Sequence, residues 1–307
     1  MDATVRFIEA TFGCPEGSWS PEAVRGASQR TYPSALEDPF HWALVGDLHL
    51  LWARWFVNGI ASPARYVPKE SSRAHVYADM LAFANGVWRE APPSERKAAA
   101  VALTDAVWAQ VLALRLKRPR SAASRATREF LWSVSSRCWI CGSEFPTWAR
   151  DSFLDGEAPD SRAAPLFVDF LKPRGRSVDD LRIEVEHVVP HAAGGTSELE
   201  NLRLACRWCN NAKSDRSVLY DVGLASRSRR HPRRGVVSVP QPFWVVRTLA
   251  LRPRCEFLEG CEKTAISSEL TVALRHEKGD ANPSNLTVTC IEHHPWGSDR
   301  LVSNSGS

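Results

Sequence analysis

Apolar side chains recur at steps of three and four through the first 135 residues, the repeat of one helical face. Leu44, Leu48, Leu51 and Trp55 predict a helix within residues 40–57, and Val76, Met80, Phe83 and Val87 predict a second. After Pro92 and Pro93, a Ser94 cap with Glu95 in the first turn predicts a third, carrying Leu103, Val107, Val111 and Leu114. A fourth is expected from about Ser124 to Val134. Trp42, Trp52, Trp55, Trp88 and Trp108 fall on or beside these faces, so they are expected in the core rather than on a base-stacking surface. Residues 148–178, broken by Gly156, Pro159, Pro165, Pro173 and Gly175, are expected to be irregular. Alternation resumes at Ile183 and Val185, predicting a strand that Pro190 and the Gly194-Gly195 pair end. A short strand over Leu202–Leu204 and a helix from Asn210 follow. Residues 226–235, Ser-Arg-Ser-Arg-Arg-His-Pro-Arg-Arg-Gly, show no apolar period, so a basic linker is expected over 226–240, either solvated or lying on nucleic-acid phosphates.

Composition narrows the class. The 307 residues are 44% hydrophobic and 24% charged, a globular balance that excludes collagen-like and mostly disordered chains. The longest apolar stretch, Phe40 to Ile60, contains Asp47, His49, Arg54 and Asn58, so no membrane span is expected. Residues 1–14 lack a basic segment followed by an apolar core, and a cytoplasmic location is expected. Net charge is +4, and only seven of the 39 basic residues are lysine. Arginine presents a planar fork suited to phosphate oxygens, although a genome rich in arginine codons gives the same excess.

Cysteine spacing is more specific. Cys138-Trp-Ile-Cys141 and Cys206-Arg-Trp-Cys209 each place two residues between sulfurs, the spacing with which a tight knuckle presents both thiolates to one tetrahedral zinc. Four thiolates leave no position for water or substrate, so this zinc is expected to be structural. Between the pairs lie Glu186-His187-Val-Val-Pro190-His191-Ala-Ala-Gly194-Gly195 and Glu200-Asn201-Leu202, and Asn210 follows the last cysteine. These residues, from Cys138 to about Asp215, resemble the HNH endonuclease family, in the branch with a four-cysteine zinc around a ββα-metal core. The resemblance implies hydrolysis of DNA phosphodiesters with 5′-phosphate and 3′-hydroxyl products. It makes His187 the general base and places one magnesium or manganese ion on Glu186 and Asn210. Asn201 becomes the central residue that tethers the loop and orients the histidine through the backbone. His191 would contact the phosphate or supplement the metal, and Glu184, which shares the strand face of Glu186, is expected to face solvent.

The layout recurs further along. Five residues separate Asn201 from Cys206 and Asn285 from Cys290; four separate Cys206 from Asn210 and Cys290 from His294. An internal duplication is the simplest account. It assigns Cys255, Cys261, Cys290 and His293 to a second structural zinc, and His276, Asn285 and His294 to the H, N and H of the family pattern. Arg275 then replaces the acid, so this copy is expected to be structural or DNA-clamping rather than catalytic.

The expected fold is therefore α+β, with a helical domain over 1–135, a treble-clef-like HNH nuclease over 136–225, the linker over 226–240 and a degenerate zinc module over 241–307. Double-stranded DNA is the expected partner, with a regulatory protein docking on the helical domain, as in restriction or anti-phage defence. A non-catalytic zinc-scaffolded protein that binds nucleic acid or assembles with partners is the alternative.

Overall fold

The computed structural model describes residues 21–29, 40–115, 123–157, 164–190, 195–257 and 259–304, with Val5 and Ile8. The chain is α+β. It divides into two compact units, Met1–Gly46 and Asp47–Ser307. The described part of the first unit contains helix α1 (Pro21–Ser28), ended by a Ser28 hydroxyl that donates to the Arg25 carbonyl, and the start of α2 (His41–Ile60).

In the second unit α3 (Arg73–Val87) and α4 (Pro93–Arg115) pack side by side. Val76, Met80, Ala84, Ala100, Leu103, Val107 and Val111 are buried between them together with Tyr66, as their spacing predicts. Ser72 caps α3 and accepts from the His75 amide. Helix α4 begins at Pro93, so Ser94 lies inside its first turn rather than capping it. Its length and apolarity would suffice to cross a membrane, and its buried face carries the helical core. Trp88 and Trp108 pack against that core, but Trp52 and Trp55, 63% and 66% exposed, do not, and Trp42 of the first unit is exposed as well. Their helical spacing is right for a core, yet α2 turns Val57 and Ile60 to the helical core and buries Asp47 instead. Asp47 accepts from the Leu219 amide at 2.7 Å and from Arg247 at 2.6 Å.

Helix α5 (Arg125–Val134), capped by Ser124, was expected in the helical domain, yet packs on α6 (Thr147–Asp155) and on the strand ending at Cys206. The expected irregular stretch holds both α6 and strand β1 (Phe167–Asp169). Strand β2 (Ile183–His187) pairs antiparallel with β3 (Leu202–Cys206), and α7 (Arg207–Lys213) follows at once. Residues 226–240 are not a linker. They form the hairpin β4 (Arg227–His231) and β5 (Gly235–Val239). Arginines occupy the exposed positions of β4, which hides its strand period, while the apolar alternation sits on β5, where Val237 and Val239 are buried. Buried His231 pins the turn: Nδ1 accepts from the Arg233 and Arg234 amides and Nε2 meets the Asp299 carbonyl at 2.8 Å.

Helix α8 (Pro242–Leu251) buries Phe243, Trp244, Val245, Val246 and Leu249 between α7 and a second antiparallel pair, β6 (Leu270–Leu274) with β7 (Leu286–Cys290). Each such side chain contributes roughly 1.5–3 kcal/mol, so α8 fastens the two hairpins together. Strand β8 (Leu301–Ser303) returns to pair with β1.

Candidate metal centres and active site

The first cluster is built by a turn and a strand end. Gly142 closes the turn at φ +65°, donating to the Cys138 carbonyl at 2.8 Å, and Cys138 in turn donates to Ser143 at 3.0 Å. Cys206 ends β3, and Cys209 lies in the first turn of α7. The sulfurs of Cys138, Cys141, Cys206 and Cys209 are buried and all lie within 4.8 Å of one another, an arrangement that could hold a metal ion. Burial pushes the Cys138 and Cys209 thiols up, whereas hydrogen bonds from the three neighbouring sulfurs hold Cys141 well below the usual thiol range. Buried Lys172 and half-buried Arg174 lie against this cluster; desolvation opposes their charge, but Glu269 and the sulfurs outweigh it and raise both. Four thiolates around one divalent ion leave two negative charges, and these two cations offset them.

The second cluster, Cys255, Cys261, Cys290 and His293, has ligand atoms within the same 4.8 Å span. His293 Nδ1 lies 3.4 Å from Cys290 Sγ and 3.7 Å from Cys255 Sγ. Its knuckle repeats the first with three more residues: Cys255 donates to Lys263 where Cys138 donates to Ser143, and Arg254 bridges Thr264 where Arg137 bridges Glu144.

The remaining candidate residues gather where β2, β3 and α7 meet. His187 ends β2 opposite Leu202, with Nε2 at 3.2 Å from the Ser197 hydroxyl. Asn201 holds the connecting loop: Oδ1 accepts from the Val189 amide at 2.8 Å, while Nδ2 donates to the carbonyls of Val189 and Thr196 at 3.1 and 2.8 Å. Gly195 is required there, because a Cβ would meet the Val189 carbonyl oxygen at 1.8 Å. His191 lies outside the described residues.

The two acids divide their work unexpectedly. Glu186 is 3% exposed and accepts from Lys213 Nζ at 2.5 Å and from the Trp139 indole at 3.2 Å. Asn210 points instead at Glu184, its Nδ2 lying 2.5 Å from Oε2. Glu184 is thus half-buried and engaged, not simply solvated. Sequence reasoning missed Glu184, Lys213 and Trp139 as partners, although Glu184 and Glu186 share one strand face and Lys213 follows Asn210 by less than one helical turn.

Backbone pairing aligns the two hairpins without reference to residue type. Leu202 and Leu286 each follow the loop asparagine, and they pair with His187 and Leu274. Asn201 returns the Val188 amide to its carbonyl at 2.9 Å, and Asn285 does the same for Arg275. The Asn285 side chain brackets His276 and Asp280 as that of Asn201 brackets Val189 and Thr196. His276 therefore corresponds to Val189, not to His187, and Arg275 does not replace the acid. The loop of the second hairpin is three residues shorter, which shifts the apparent match. Leu274 stands for His187, Ala273 for Glu186, Thr271 for Glu184 and buried His294 for Asn210. His294 has both nitrogens committed: Nδ1 accepts from the Trp296 amide and Nε2 meets the Val272 carbonyl, both at 3.1 Å. Burial lowers its pKa. Pro295 follows it, and no helix equivalent to α7 forms.

A hairpin and short helix stapled by cysteines, with carboxylate, imidazole and amide donors beside them, have the composition of a metal-dependent phosphodiesterase site. Residues 175–216, spanning β2, β3 and α7, match the HNH endonuclease family model. No curated protein and no solved structure gave a significant match.

Proposed function

We propose that the chain is an endonuclease that hydrolyses DNA phosphodiester bonds with His187 as general base and one divalent cation. One observation carries this reading. The second hairpin keeps the scaffold, including the loop asparagine, its glycine at position 279 and a ligand cluster, yet it has Leu274, Ala273, Thr271 and His294 where the first has His187, Glu186, Glu184 and Asn210. The fold can be made without the chemical groups, so their joint presence in one copy points to chemistry there.

His187 supplies an imidazole whose ordinary pKa lies near neutrality, suited to taking a proton from the attacking water. Asn201 fixes the loop on one side of it, and the Lys213 ammonium holds its carbonyl at 2.8 Å on the other. Glu184 and Asn210 stand together as oxygen donors, with Glu186 on the same strand face, and this set fits a hard cation such as magnesium or manganese. When bound, such an ion supplies charge neutralisation at the scissile phosphate and the departing oxygen. The ends formed are 5′-phosphate and 3′-hydroxyl.

Zinc is the ion proposed for both cysteine clusters, by ligand type and spacing. Thiolate sites of this kind suit a reducing compartment such as the cytoplasm. The functional partition is a helical part ending at Arg115, a nuclease part from Ser124, and the hairpin with the second zinc module as its buttress. Double-stranded DNA is the substrate, and the helical part docks a regulatory protein in a defence role.

The test is cleavage of supercoiled plasmid with magnesium, manganese or EDTA, comparing the protein with His187→Ala at matched zinc content. Metal-dependent cutting that the variant loses supports the reading. A folded, zinc-replete protein that binds DNA without cutting favours the scaffold alternative.

A further inference from the structure

Beside the Glu184–Asn210 pair lies a cavity of about 230 Å³ lined by Arg128 of α5, Arg182 and Glu184 at the start of β2, Arg207 of α7 and Ser152 of α6. The guanidinium of Arg128 is held in place: one nitrogen donates to the Phe153 carbonyl, its plane lies over the Phe153 ring at 5.7 Å, and its buried Nε has no hydrogen-bond partner. Arg182 and Arg207 are held loosely. Arg182 meets the exposed Asp179 at 3.1 Å, and Arg207 lies 3.9 Å from Asp179 and 3.7 Å from Glu184. Exposed pairs of this kind are worth about 0–1 kcal/mol, so both forks are free to turn to a better anion.

The duplicated hairpin shows that these cations are not needed for the scaffold. Helices α5 and α8 have equal length and end four residues before the first cysteine of each cluster, which sets Val245 opposite Arg128. Strand register sets Glu269 opposite Arg182 and Ile291 opposite Arg207. The copy without His187 thus has an apolar residue, an acid and another apolar residue at the three positions.

We propose that Arg128, Arg182 and Arg207 form a phosphate seat for the nucleic-acid backbone beside the Glu184–Asn210 pair. The seat rests on the nuclease reading for its substrate. Planar forks converging on a cavity are the geometry that grips phosphate oxygens in pairs.

The test uses the full chain carrying His187→Ala, so that bound duplex is not cut, with affinity followed by fluorescence anisotropy across a salt series. Arg182→Gln with Arg207→Gln lowers the slope of log K against log salt by about one phosphate, ~0.9, and weakens binding about tenfold near ~0.1 M salt. Arg128→Lys, which keeps charge and fold but loses the fork, weakens binding less. Arg229→Gln, on the exposed face of β4, leaves the slope unchanged. An unchanged slope in the double variant, equal losses for the hairpin control, or no binding of duplex by the parent chain overturns the seat. DNA binding with the expected slope change but no cutting by the chain with His187 intact leaves the seat standing and removes the nuclease reading.

Discussion

Lys213 and Glu186 form a buried ion pair that ties the last turn of α7 to the end of β2. The ammonium lies 2.5 Å from Oε1 and also donates to the His187 carbonyl at 2.8 Å. In the second hairpin the corresponding residues are Ala273 and Gly297, so the pair is lost as a unit.

A buried pair broken on one side leaves an uncompensated charge. Glu186→Gln or Lys213→Met alone is therefore expected to cost about 3–5 kcal/mol, with the double variant recovering most of it. Urea unfolding of the four proteins measures the coupling. Additive losses would show that the two side chains do not depend on each other.

The same pair bears on which carboxylate serves the cation. Glu184 stands against Asn210, whereas Glu186 is already balanced by Lys213. Glu184→Gln is expected to raise the magnesium concentration for half-maximal cleavage roughly ten- to a hundredfold, with a small effect on stability. If Glu186 is the principal ligand, the Glu186→Gln, Lys213→Met double variant will be inactive at any magnesium concentration while Glu184→Gln cuts normally.

Asn201 offers a cleaner separation of scaffold from chemistry. It makes three hydrogen bonds to the loop, two of them as donor. Asn201→Asp cannot donate and turns a carboxylate toward two carbonyls, so a loss on the order of 2–3 kcal/mol and a fall in cleavage rate are expected. Asn285→Asp should destabilise comparably, since Asn285 makes the same three contacts, and should act on cleavage only through stability. Comparing rates at equal folded fraction distinguishes the two.

These asparagines also show what a sequence can and cannot reveal. The spacing of Cys138, Cys141, Cys206 and Cys209 and the period of Ile183 and Val185 mark the stapled hairpin directly, because ligand geometry and strand alternation are local. His276 matches His187 by residue type alone, since the second loop is three residues shorter, and backbone pairing sets Leu274 in that place. The hairpin at Arg227–Val239 was hidden since solvent-facing arginines carry no apolar alternation. Trp52 and Trp55 have the spacing of core residues, and burial is decided by what packs on α2, which its own sequence does not contain.

Tyr66 provides a pH test within the helical part. Its hydroxyl donates to Asp79 at 2.7 Å, and burial together with Asp79 pushes its pKa up to about 12. The folded chain therefore keeps this proton above the ordinary tyrosine value, and the stability it contributes is present below about pH 10 and lost as pH rises toward 12. Tyr66→Phe should cost about 1 kcal/mol at neutral pH and flatten that alkaline loss. Tyrosinate absorbance against pH, with and without the substitution, checks it.

The second cysteine cluster is expected to act through the first. Leu270 donates to the Cys141 carbonyl at 2.8 Å, and Gly142 lies so close to Ala265 and Ser268 that a Cβ would strike the Ser268 carbonyl oxygen at 2.1 Å. Lys172 bridges the two, meeting Glu269 at 2.6 Å and the Leu270 carbonyl at 2.8 Å. Strand β8, which follows the second cluster, pairs with β1 ahead of β2. Cys255→Ser should therefore lower the zinc content by one equivalent and also lower the thermal midpoint and cleavage rate of a site that contains none of its ligands. Cys209→Ser, which cuts into the cluster stapling β3 to α7, should abolish cleavage outright. Zinc content by metal analysis fixes the stoichiometry, and hydrogen exchange of the β2 and β3 amides reads the coupling. Full zinc occupancy in Cys255→Ser would remove the second site, and unchanged β2 protection in a variant with one zinc would show that the modules fold independently.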